Sequence, residues 1–476
     1  MINFVIFEVG LNLNAILMPL TNQDSFEVYS NIYFIGIGGI GISALARILK
    51  AEGHQVSGSD LSKNLNTELL EKEGIKVNYD QKAENLPSKL ELAIYTKAIP
   101  SSNLEFAEAQ RRGIKILSYP EAVGLLSKRY KTICLSGTHG KTTTTALLGL
   151  SLEANDQDPT VIVGSLIKEF GNKNERLGKS DFLVLESCEY QDSFLNYHPE
   201  ILVINNVDPE HLDYFGNEEN YLNSFKKFIG NLKSGGHLIV NGDDSNIRKI
   251  ITNLKDIQIT TFGESLDNDY QIQGHKILKK GSLYCQLNLS IPGQHNVRNA
   301  TVSVIISDIL NLDLEKTIKS LNTFKGANRR FEIKGQIGKT TIIDDYGHTP
   351  AEIQATLEGT REKFGTSAKI LCIFQPHQYS RTHLFLNDFA QSFKLANKVY
   401  IPNIYRSRDT EEDLQKVNPQ ILVDAINKFQ PGTAEYTKNF EETISRTEAS
   451  ISSYDIVMTI GAGDITKLSD DLLKLN

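Results

Sequence analysis

A glycine-rich loop with a single lysine is the stretch of this chain whose residue types most directly specify chemistry. It reads LSGTHGKTTTTALL from Leu135 to Leu148 and lies between an apolar run and a helical stretch. In loops of this kind, backbone N–H groups and a helix N-terminus point at phosphate oxygens, and glycine lets the backbone come close. Lys141 suits the β- and γ-phosphates of ATP, and the hydroxyl of Thr142 suits Mg²⁺. The residues assigned to ATP in this loop are Gly137, Thr138, His139, Gly140, Lys141, Thr142 and Thr143.

A second glycine loop lies upstream, in FIGIGGIGISALARIL from Phe34. Gly36, Gly38 and Gly41 match G-x-G-x-x-G between a strand and a helix, and Asp60 stands ~20 residues on, where a ribose-binding acid is expected. The motif specifies a diphosphate against a helix N-terminus. Two ligands therefore stay open: a nicotinamide dinucleotide, as in a dehydrogenase, and a nucleotide sugar, which also carries a diphosphate.

Short apolar runs alternate with helical stretches through three successive parts of the chain. IYFIGIG and QVSGSD open the first series, YKTICLSG and ILVINNV belong to the second, and TTIIDDY and DIVMTIGAGD to the third. This alternation favours parallel sheets covered on both faces. We predict an α/β protein of three tandem Rossmann-like or P-loop units with mostly parallel sheets. The predicted bounds are 1–30 for an N-terminal extension, then 31–127, 128–326 and 327–476 for the three units.

Composition narrows the class of protein. Of 476 residues, 40% are hydrophobic and 23% charged, and the formal net charge is -8. An acidic total argues against nucleic-acid binding, which needs a basic face. The N-terminal stretch is interrupted by Glu8 and Asn12 and falls short of the ~20 apolar residues of a membrane span. The four cysteines form no CxxC pair, which argues against a zinc site or disulfide framework. We predict a cytoplasmic protein with no membrane or nucleic-acid partner.

Taken in order, the motifs resemble those of the Mur ligases, the ATP-dependent amide ligases of peptidoglycan precursor synthesis. The resemblance is carried from about Ile32 to the C-terminus by GIGGIGIS, GTHGKTTTT, NNVDPEHLDYF, GQHNVRNA, GANRRFE, DDYGHTP, FQPHQYSRT and GAGD. It implies that the first unit binds UDP-N-acetylmuramate, the second ATP with Mg²⁺, and the third the incoming amino acid, L-alanine. It also implies activation of a carboxylate as an acyl phosphate, which the amine then attacks.

The same resemblance implies roles for individual residues around the phosphates. Thr142, Glu186 and His211 match the family's magnesium ligands; the alternatives are a surface acid for Glu186 and a polar loop residue for His211. The catalytic set is Lys141, Glu186, His211 and His348.

Further ATP contacts are implied by motifs outside the loop. Asn296 and Asn299 match adenine contacts, with helix capping as the alternative. Arg330 matches a phosphate contact and Asp345 a ribose or closure contact, with an inter-domain salt bridge as the alternative for this pair.

Substrate positions follow in the same way. His377 and Arg381 lie with His348 where the family recognises the amino acid; a structural role is the alternative for all three. The residues assigned to substrates are Gly36, Gly38, Gly39, Gly41, Ser59, Asp60, His139, Asn174, Arg176, His377 and Arg381.

The chain departs from the family pattern at three places. Leu135 stands where GxxxxGK[ST] has its first glycine, ESCEYQDSF replaces an acid-rich segment, and Thr349 stands where a second histidine is usual. The last two differences lie near the acceptor chemistry. A ligase that attaches a whole tripeptide to UDP-N-acetylmuramate therefore stays open as an alternative.

Overall fold

The structure, a computed structural model, describes residues 25–100, 102–252, 254 and 256–474. Residues 1–24, most of the predicted N-terminal extension, lie outside the described residues. Within the remainder of that stretch, Phe26 is fully buried and packs into the core of the first sheet. The described chain forms three sheets, each built from one consecutive part of the sequence.

The first sheet carries the first glycine loop. Its strands are β1 (Asn31–Ile35), β2 (Gln55–Ser59), β3 (Lys76–Asn78), β4 (Leu92–Tyr95) and β5 (Lys115–Ser118). Its helices are α1 (Ile40–Ala51), α2 (Leu65–Lys72), α3 (Leu104–Arg111) and α4 (Tyr119–Arg129). All strand pairs are parallel in the order β3-β2-β1-β4-β5. The order reverses beside β1, so the loop after β1 opens at the switch point where α/β sheets bind ligands.

The second sheet carries the lysine loop. Its strands are β6 (Lys131–Ser136), β7 (Thr160–Ile167), β8 (Lys173–Arg176), β9 (Phe182–Glu186), β10 (Ile201–Ile204), β11 (His237–Asn241), β12 (Gln258–Gly263), β13 (Tyr270–Gln273), β14 (Lys276–Lys279) and β15 (Ser282–Gln286). Its helices are α5 (Lys141–Ala154), α6 (Leu212–Phe215), α7 (Glu218–Ile229), α8 (Ser245–Ile251), α9 (Gln294–Ile309) and α10 (Leu314–Thr323). The strand order is β15-β14-β13-β12-β11-β10-β6-β9-β7-β8, parallel from β13 to β7 and antiparallel at both edges.

The third sheet follows the GANRRFE passage. Its strands are β16 (Glu332–Ile337), β17 (Thr340–Asp345), β18 (Ile370–Phe374), β19 (Lys398–Ile401), β20 (Ala434–Tyr436) and β21 (Ile456–Ile460). Its helices are α11 (Pro350–Phe364), α12 (Tyr379–Leu384), α13 (Leu386–Ser392), α14 (Glu411–Lys416), α15 (Pro419–Phe429), α16 (Phe440–Ser450) and α17 (Thr466–Leu473). The order is β16-β17-β21-β18-β19-β20, with the β16–β17 pair antiparallel and the rest parallel.

The predicted fold class is confirmed: the protein is α/β with mostly parallel sheets. Strands such as β10, β18 and β21 are buried along their whole length because helices cover both faces, which explains their unbroken apolar sequence. Among the described residues, no helix is both long enough and apolar enough to cross a membrane. The four cysteines are unpaired, and Cys188 is the exposed one.

A buried ion pair joins the first and second sheets. Arg47 of α1 donates to Glu73 over 2.8 Å and, across the seam, to Glu175 of β8 over 2.9 Å. Arg47 and Glu175 are 3% and 2% exposed. Asn174 accepts from Arg47 over 3.1 Å and donates to the carbonyl of Ile40 at the start of α1. The N-terminal turn of α1 is therefore fixed against the second sheet.

Candidate active site

The lysine loop connects β6 to α5, and its glycines are required by geometry. Gly137 and Gly140 have φ of 130° and 80°, in the region that favours glycine. A Cβ on Gly140 would lie 2.5 Å from Oδ1 of Asn299 and 3.1 Å from Nδ2 of Asn205. The next residue, Lys141, begins α5, so the free N–H groups of the helix face the loop. The backbone geometry of this loop suits a bound phosphate, and neighbouring side chains pack closely around it.

The ammonium of Lys141 lies over its own loop. It donates to the carbonyls of Gly137 and Thr138 over 2.5 and 3.0 Å and to Oε2 of Glu189 over 2.9 Å. Burial disfavours its charge, but the carboxylate of Glu189 outweighs burial and raises the pKa of Lys141 above its usual value. The lysine therefore keeps its positive charge although its side chain is only 13% exposed.

Two of the three predicted metal ligands meet directly. Thr142 Oγ1 donates to Glu186 Oε1 over 2.9 Å, and the other oxygen of Glu186 accepts from the backbone N–H of Gly164 over 2.5 Å. A hydroxyl beside a carboxylate is a fitting pair of ligands for Mg²⁺, which prefers oxygen.

The third predicted ligand, His211, belongs to a separate cluster. Its Nε2 lies 3.7 Å from Glu189, and potential ligand atoms of Glu189, Glu210 and His211 all lie within 4.8 Å of one another. His211 has a φ of 55° and its ring packs 4.8 Å from that of Tyr190. The donor chemistry of this cluster also fits a divalent cation.

A cavity of about 500 Å³ opens beside the lysine loop, between the second and third sheets. Residues predicted to bind ATP line it from both sides: His139, Gly140, Thr142, Thr143, Asn296, Asn299, Arg330 and Asp345. The capping alternative for the two asparagines is wrong, because α9 begins after Gly293, which has no side chain; Asn296 instead donates to the carbonyl of Pro292 over 2.6 Å.

Glu352 of α11 lines this cavity and lies close to three basic side chains. Its Oε1 lies 3.5 Å from His139 and 3.6 Å from Arg330, and its Oε2 lies 3.3 Å from His348. Burial opposes ionisation of Glu352, but these neighbours hold its pKa well below the usual value. For His139, burial alone would lower the pKa, while Glu352 raises it above the usual value.

Asp345 does not form the salt bridge with Arg330 that was the alternative to a ribose or closure contact. It is 6% exposed and accepts from the backbone N–H groups of Phe331 and Gly347 over 2.7 and 2.8 Å. The ion partner of Arg330 within 4 Å, among the described residues, is Glu352 rather than Asp345. Asp345 fixes the passage that carries Arg330 to the cavity.

The predicted amino-acid residues form a group with Glu210. Arg381 lies 3.2 Å and His348 3.6 Å from Oε1 of Glu210, which links the third sheet to the second. His377 stacks on Tyr405 with ring centres 5.5 Å apart. Burial, together with the charge of Arg381, lowers the pKa of His377 to about 4, so its imidazole is neutral at pH 7.

The first glycine loop is held by the end of β2. Gly36 and Ile37 donate to the carbonyl of Ser59 over 2.8 Å each, and Gly38 donates to Oδ2 of Asp60 over 2.8 Å. Asp60 thus shapes the loop itself. A Cβ on Gly41 would lie 2.6 Å from the hydroxyl of Tyr119, which explains glycine there. Gly39 is the N-cap of α1, so the loop again leads into a free helix N-terminus.

Three of the predicted substrate residues have other partners. Arg176 is not brought to either loop: it donates to Pro159, Glu153 and Asp158 over 2.7, 2.9 and 2.8 Å. Asn174 is fully buried in the α1–β8 seam described above. The buried hydroxyl of Ser59 likewise donates to the carboxylate of Glu105. These side chains support the fold around the loops.

Three acids of the site were not predicted from the sequence: Glu189, Glu210 and Glu352. Each lies within four residues of a predicted one, in ESCEY, DPEHLD and GHTPAE. Acids flanking candidate ligands were the available signal. The pairing of Glu189 with Lys141 depends on a contact between two loops of one sheet, and the pairings of Glu210 with Arg381 and of Glu352 with His139 depend on contacts between sheets.

Comparison with known proteins matches this arrangement to a family. Residues 31–131 match the family profile described as Mur ligase family, catalytic domain; residues 135–307 match Mur ligase middle domain, and 329–463 match Mur ligase, glutamate ligase domain. The chain belongs to the Mur ligase family. The resemblance predicted from the motifs is therefore confirmed.

Named relatives of this Mur ligase extend over nearly its whole length. The UDP-N-acetylmuramate–L-alanine ligases of Caldanaerobacter subterraneus subsp. tengcongensis and Agathobacter rectalis are 41% and 38% identical to it, over 94% and 93% of this chain and 98% of each relative. The solved UDP-N-acetylmuramate-alanine ligase of Thermotoga maritima is similar with a TM-score of 0.78 and 28% identity, over 94% of this chain and 98% of that one.

Proposed function

We propose that this Mur ligase joins L-alanine to the lactyl carboxylate of UDP-N-acetylmuramate with ATP, through an acyl phosphate, in peptidoglycan precursor synthesis. The observation that carries the proposal is the hydrogen bond between Thr142 and Glu186, next to the lysine loop and beside a cavity lined by both the second and third sheets. Relatives that are more than a third identical to this chain, along nearly their whole length, are named UDP-N-acetylmuramate–L-alanine ligase.

The chemistry accounts for the cations of the site. A carboxylate is a poor electrophile, so its oxygen first takes the γ-phosphoryl group of ATP and ADP leaves. The alanine nitrogen then attacks the acyl carbon, and the C–O bond to phosphate breaks to give amide and inorganic phosphate. Two anions must approach each other, and Lys141 and Arg330 supply fixed positive charge for the transferred group.

Magnesium, when bound, would neutralise phosphate oxygens and hold them in place. Thr142 and Glu186 would ligate it at one position, with His211 at a second. The present contacts fit these roles because Thr142 and Glu186 already share a hydrogen bond and His211 lies beside two carboxylates.

The three units divide the substrates. The first, 31–127, would hold the UDP-sugar with its diphosphate on the α1 N-terminus, and the second, 128–326, would hold ATP. The third, 327–476, would bring L-alanine to Arg381, His348 and His377. Arg381 offers a bidentate partner for the alanine carboxylate, and neutral His377 offers a hydrogen-bond acceptor. We place this reaction in the cytoplasm.

Tripeptide addition to UDP-N-acetylmuramate is the second candidate within the class. A murein peptide ligase of Psychrobacter arcticus shares the fold, with a TM-score of 0.68, at 20% identity. A nicotinamide dehydrogenase, the other possibility raised by the first glycine loop, gives the lysine loop and the third unit no role.

The test is the substrate requirement for phosphate release. Purified full-length chain with ATP and Mg²⁺ is assayed with UDP-N-acetylmuramate and, separately, L-alanine, L-serine, glycine and the tripeptide. The proposal expects phosphate release that needs both the UDP-sugar and an acceptor, with L-alanine giving the highest kcat/KM. A higher kcat/KM for the tripeptide would make the tripeptide, not L-alanine, the acceptor. Turnover of NAD(H) without ATP would overturn the proposal.

A further inference from the structure

Glu189 lies where the lysine loop meets the cluster of His211, and its side chain is 1% exposed. Its Oε2 lies 2.9 Å from the ammonium of Lys141 and its Oε1 lies 3.7 Å from Nε2 of His211. Each oxygen therefore faces a different group of the phosphate site. Glu186 contacts Thr142, whereas Glu189 contacts Lys141 and lies beside His211.

Glu189 is also an anionic partner of Lys141 that lies outside the lysine loop. The other two acceptors of the ammonium are carbonyls of the loop, Gly137 and Thr138. Within the described residues, Glu189 is the acid within 4 Å of that ammonium. A lysine side chain is flexible, so a buried carboxylate at hydrogen-bond distance restricts where its charge can lie.

The turn that follows Glu189 contacts all three parts of the chain. Lys97, from the first part, donates to the carbonyl of Gln191 over 3.0 Å. From the third part, the guanidinium of Arg408 lies 4.6 Å from the ring centre of Tyr190. From the second, Ser224 donates to Asp192.

The backbone of this turn needs such support. Gln191 and Asp192 have φ of 52° and 55°, a left-handed conformation that is unfavourable for residues other than glycine. Strained residues persist where surrounding contacts fix them. The position of Glu189 is thus tied to contacts made by the flanking parts.

We propose that Glu189 is a positioning residue for Lys141, and that the contact of Arg408 with Tyr190 makes this positioning depend on docking of the third part of the chain. The proposal rests on the proposed function in one respect, the use of ATP as phosphoryl donor. Glu189 touches no reacting atom; it sets where the charge that meets the γ-phosphate lies.

The experiment measures the reactivity of the Lys141 amine in the unliganded, full-length chain. Brief reductive methylation is followed by mass spectrometry of the peptide that contains Lys141. Loss of a charged hydrogen bond should speed labelling of Glu189→Gln at least ~5-fold, and Arg408→Ala should show a smaller increase of ~2-fold. Two matched controls should label as the unmodified chain does: Glu219→Gln, an exposed acid on α7, and Arg406→Ala, whose exposed side chain pairs with Glu411.

Steady-state kinetics then separate positioning from general damage. Glu189→Gln should raise the KM for ATP ~10-fold and lower kcat while the KM for the UDP-sugar stays unchanged, and Glu189→Asp should restore part of both. Unchanged Lys141 labelling in Glu189→Gln would overturn the positioning role, and unchanged labelling in Arg408→Ala would overturn its dependence on docking. If Glu189→Gln does not fold, Glu189→Asp and Arg408→Ala decide. Labelling needs neither sugar nor alanine, so failure of the proposed ligation would be seen separately.

Discussion

Thr142 Oγ1 donates a hydrogen bond to Glu186 Oε1 over 2.9 Å. The contact follows from the order of the second sheet: β6 and β9 are parallel neighbours in which Leu135 pairs with Glu186. Thr142, in the first turn of α5, comes directly after the loop that follows β6. Two residues far apart in sequence therefore form one oxygen-rich pair at the carboxyl end of the sheet.

Thr142→Val removes the hydroxyl and keeps the side-chain shape. If the pair holds Mg²⁺, kcat should fall on the order of 100-fold and half-saturation should need more Mg²⁺, because charge stabilisation at the transferring phosphate is lost. Binding of the UDP-sugar, measured by calorimetry without ATP, should not change. Thr323→Val, at an exposed position near the end of α10, serves as the matched control. An unchanged kcat in Thr142→Val would show that the Thr142 hydroxyl does not help to hold Mg²⁺ during the reaction.

Gly140→Ala tests phosphate binding by the lysine loop against a second glycine with similar backbone strain. Gly140 and Gly171 have φ of 80° and 74°, but only at Gly140 would a new Cβ meet a neighbour, Asn299 Oδ1 at 2.5 Å. Both variants should lose about 1–2 kcal/mol of stability from the left-handed backbone. The KM for ATP should rise in Gly140→Ala alone. Equal effects on ATP in both variants would mean that strain, not phosphate binding by the loop, matters.

Arg47→Met tests the seam between the first and second sheets. It leaves the carboxyl of Glu175 buried without its cation, which should cost about 3 kcal/mol near pH 8. Burial raises the pKa of Glu175 to about 7 from 4.5, so this group binds its proton more tightly when folded and its contribution to stability falls as pH rises from 4.5 through 7. The cost of Arg47→Met should therefore shrink below pH 6, where the carboxyl is protonated. Denaturant titrations at several pH values would measure it.

The double variant Arg47→Met/Glu175→Gln is the control for that experiment. Removing both charges should recover most of the lost stability, because no uncompensated charge remains. If the double variant were as unstable as the single one, the loss of stability would come from altered packing around Arg47 and not from an unpaired charge.

His295 should contribute to the loss of stability in acid. Burial, with the charges of Arg298 and Arg330 opposed by Glu352, lowers its pKa to about 4. The folded state then binds fewer protons than the unfolded state between pH 6.5 and 4, so stability falls as pH drops through that window, by at most about 1.4 kcal/mol per pH unit for this group. His295→Gln should show a shallower loss than the unmodified chain. Parallel pH profiles of the two would contradict this role.

Strands β1, β6, β10 and β21 and both glycine loops could be predicted, because buried parallel strands consist of largely apolar runs. β13, β14 and β15 were not predicted, since their sequence is polar and interrupted by turns in an antiparallel edge. Strand order could not be predicted either, because sequence patterns show which residues are buried but not which strands are neighbours.

The same distinction applies to the residues of the candidate site. Lys141 and Thr142 could be predicted from one local loop. The partners of Lys141 and Arg330, Glu189 and Glu352, could not, since they come from other loops and another sheet. Arg176 shows the converse: motif position suggested a substrate contact, whereas its neighbours Glu153 and Asp158 supply local ion pairs.

The fate of one oxygen atom tests the acyl phosphate most directly. UDP-N-acetylmuramate labelled with heavy oxygen in its lactyl carboxylate is turned over with ATP and L-alanine, and the released phosphate is analysed by mass spectrometry. Transfer of the γ-phosphoryl to that carboxylate predicts one labelled oxygen in each phosphate formed. Phosphate that contains no label, alongside normal yields of the amide, would contradict the mechanism.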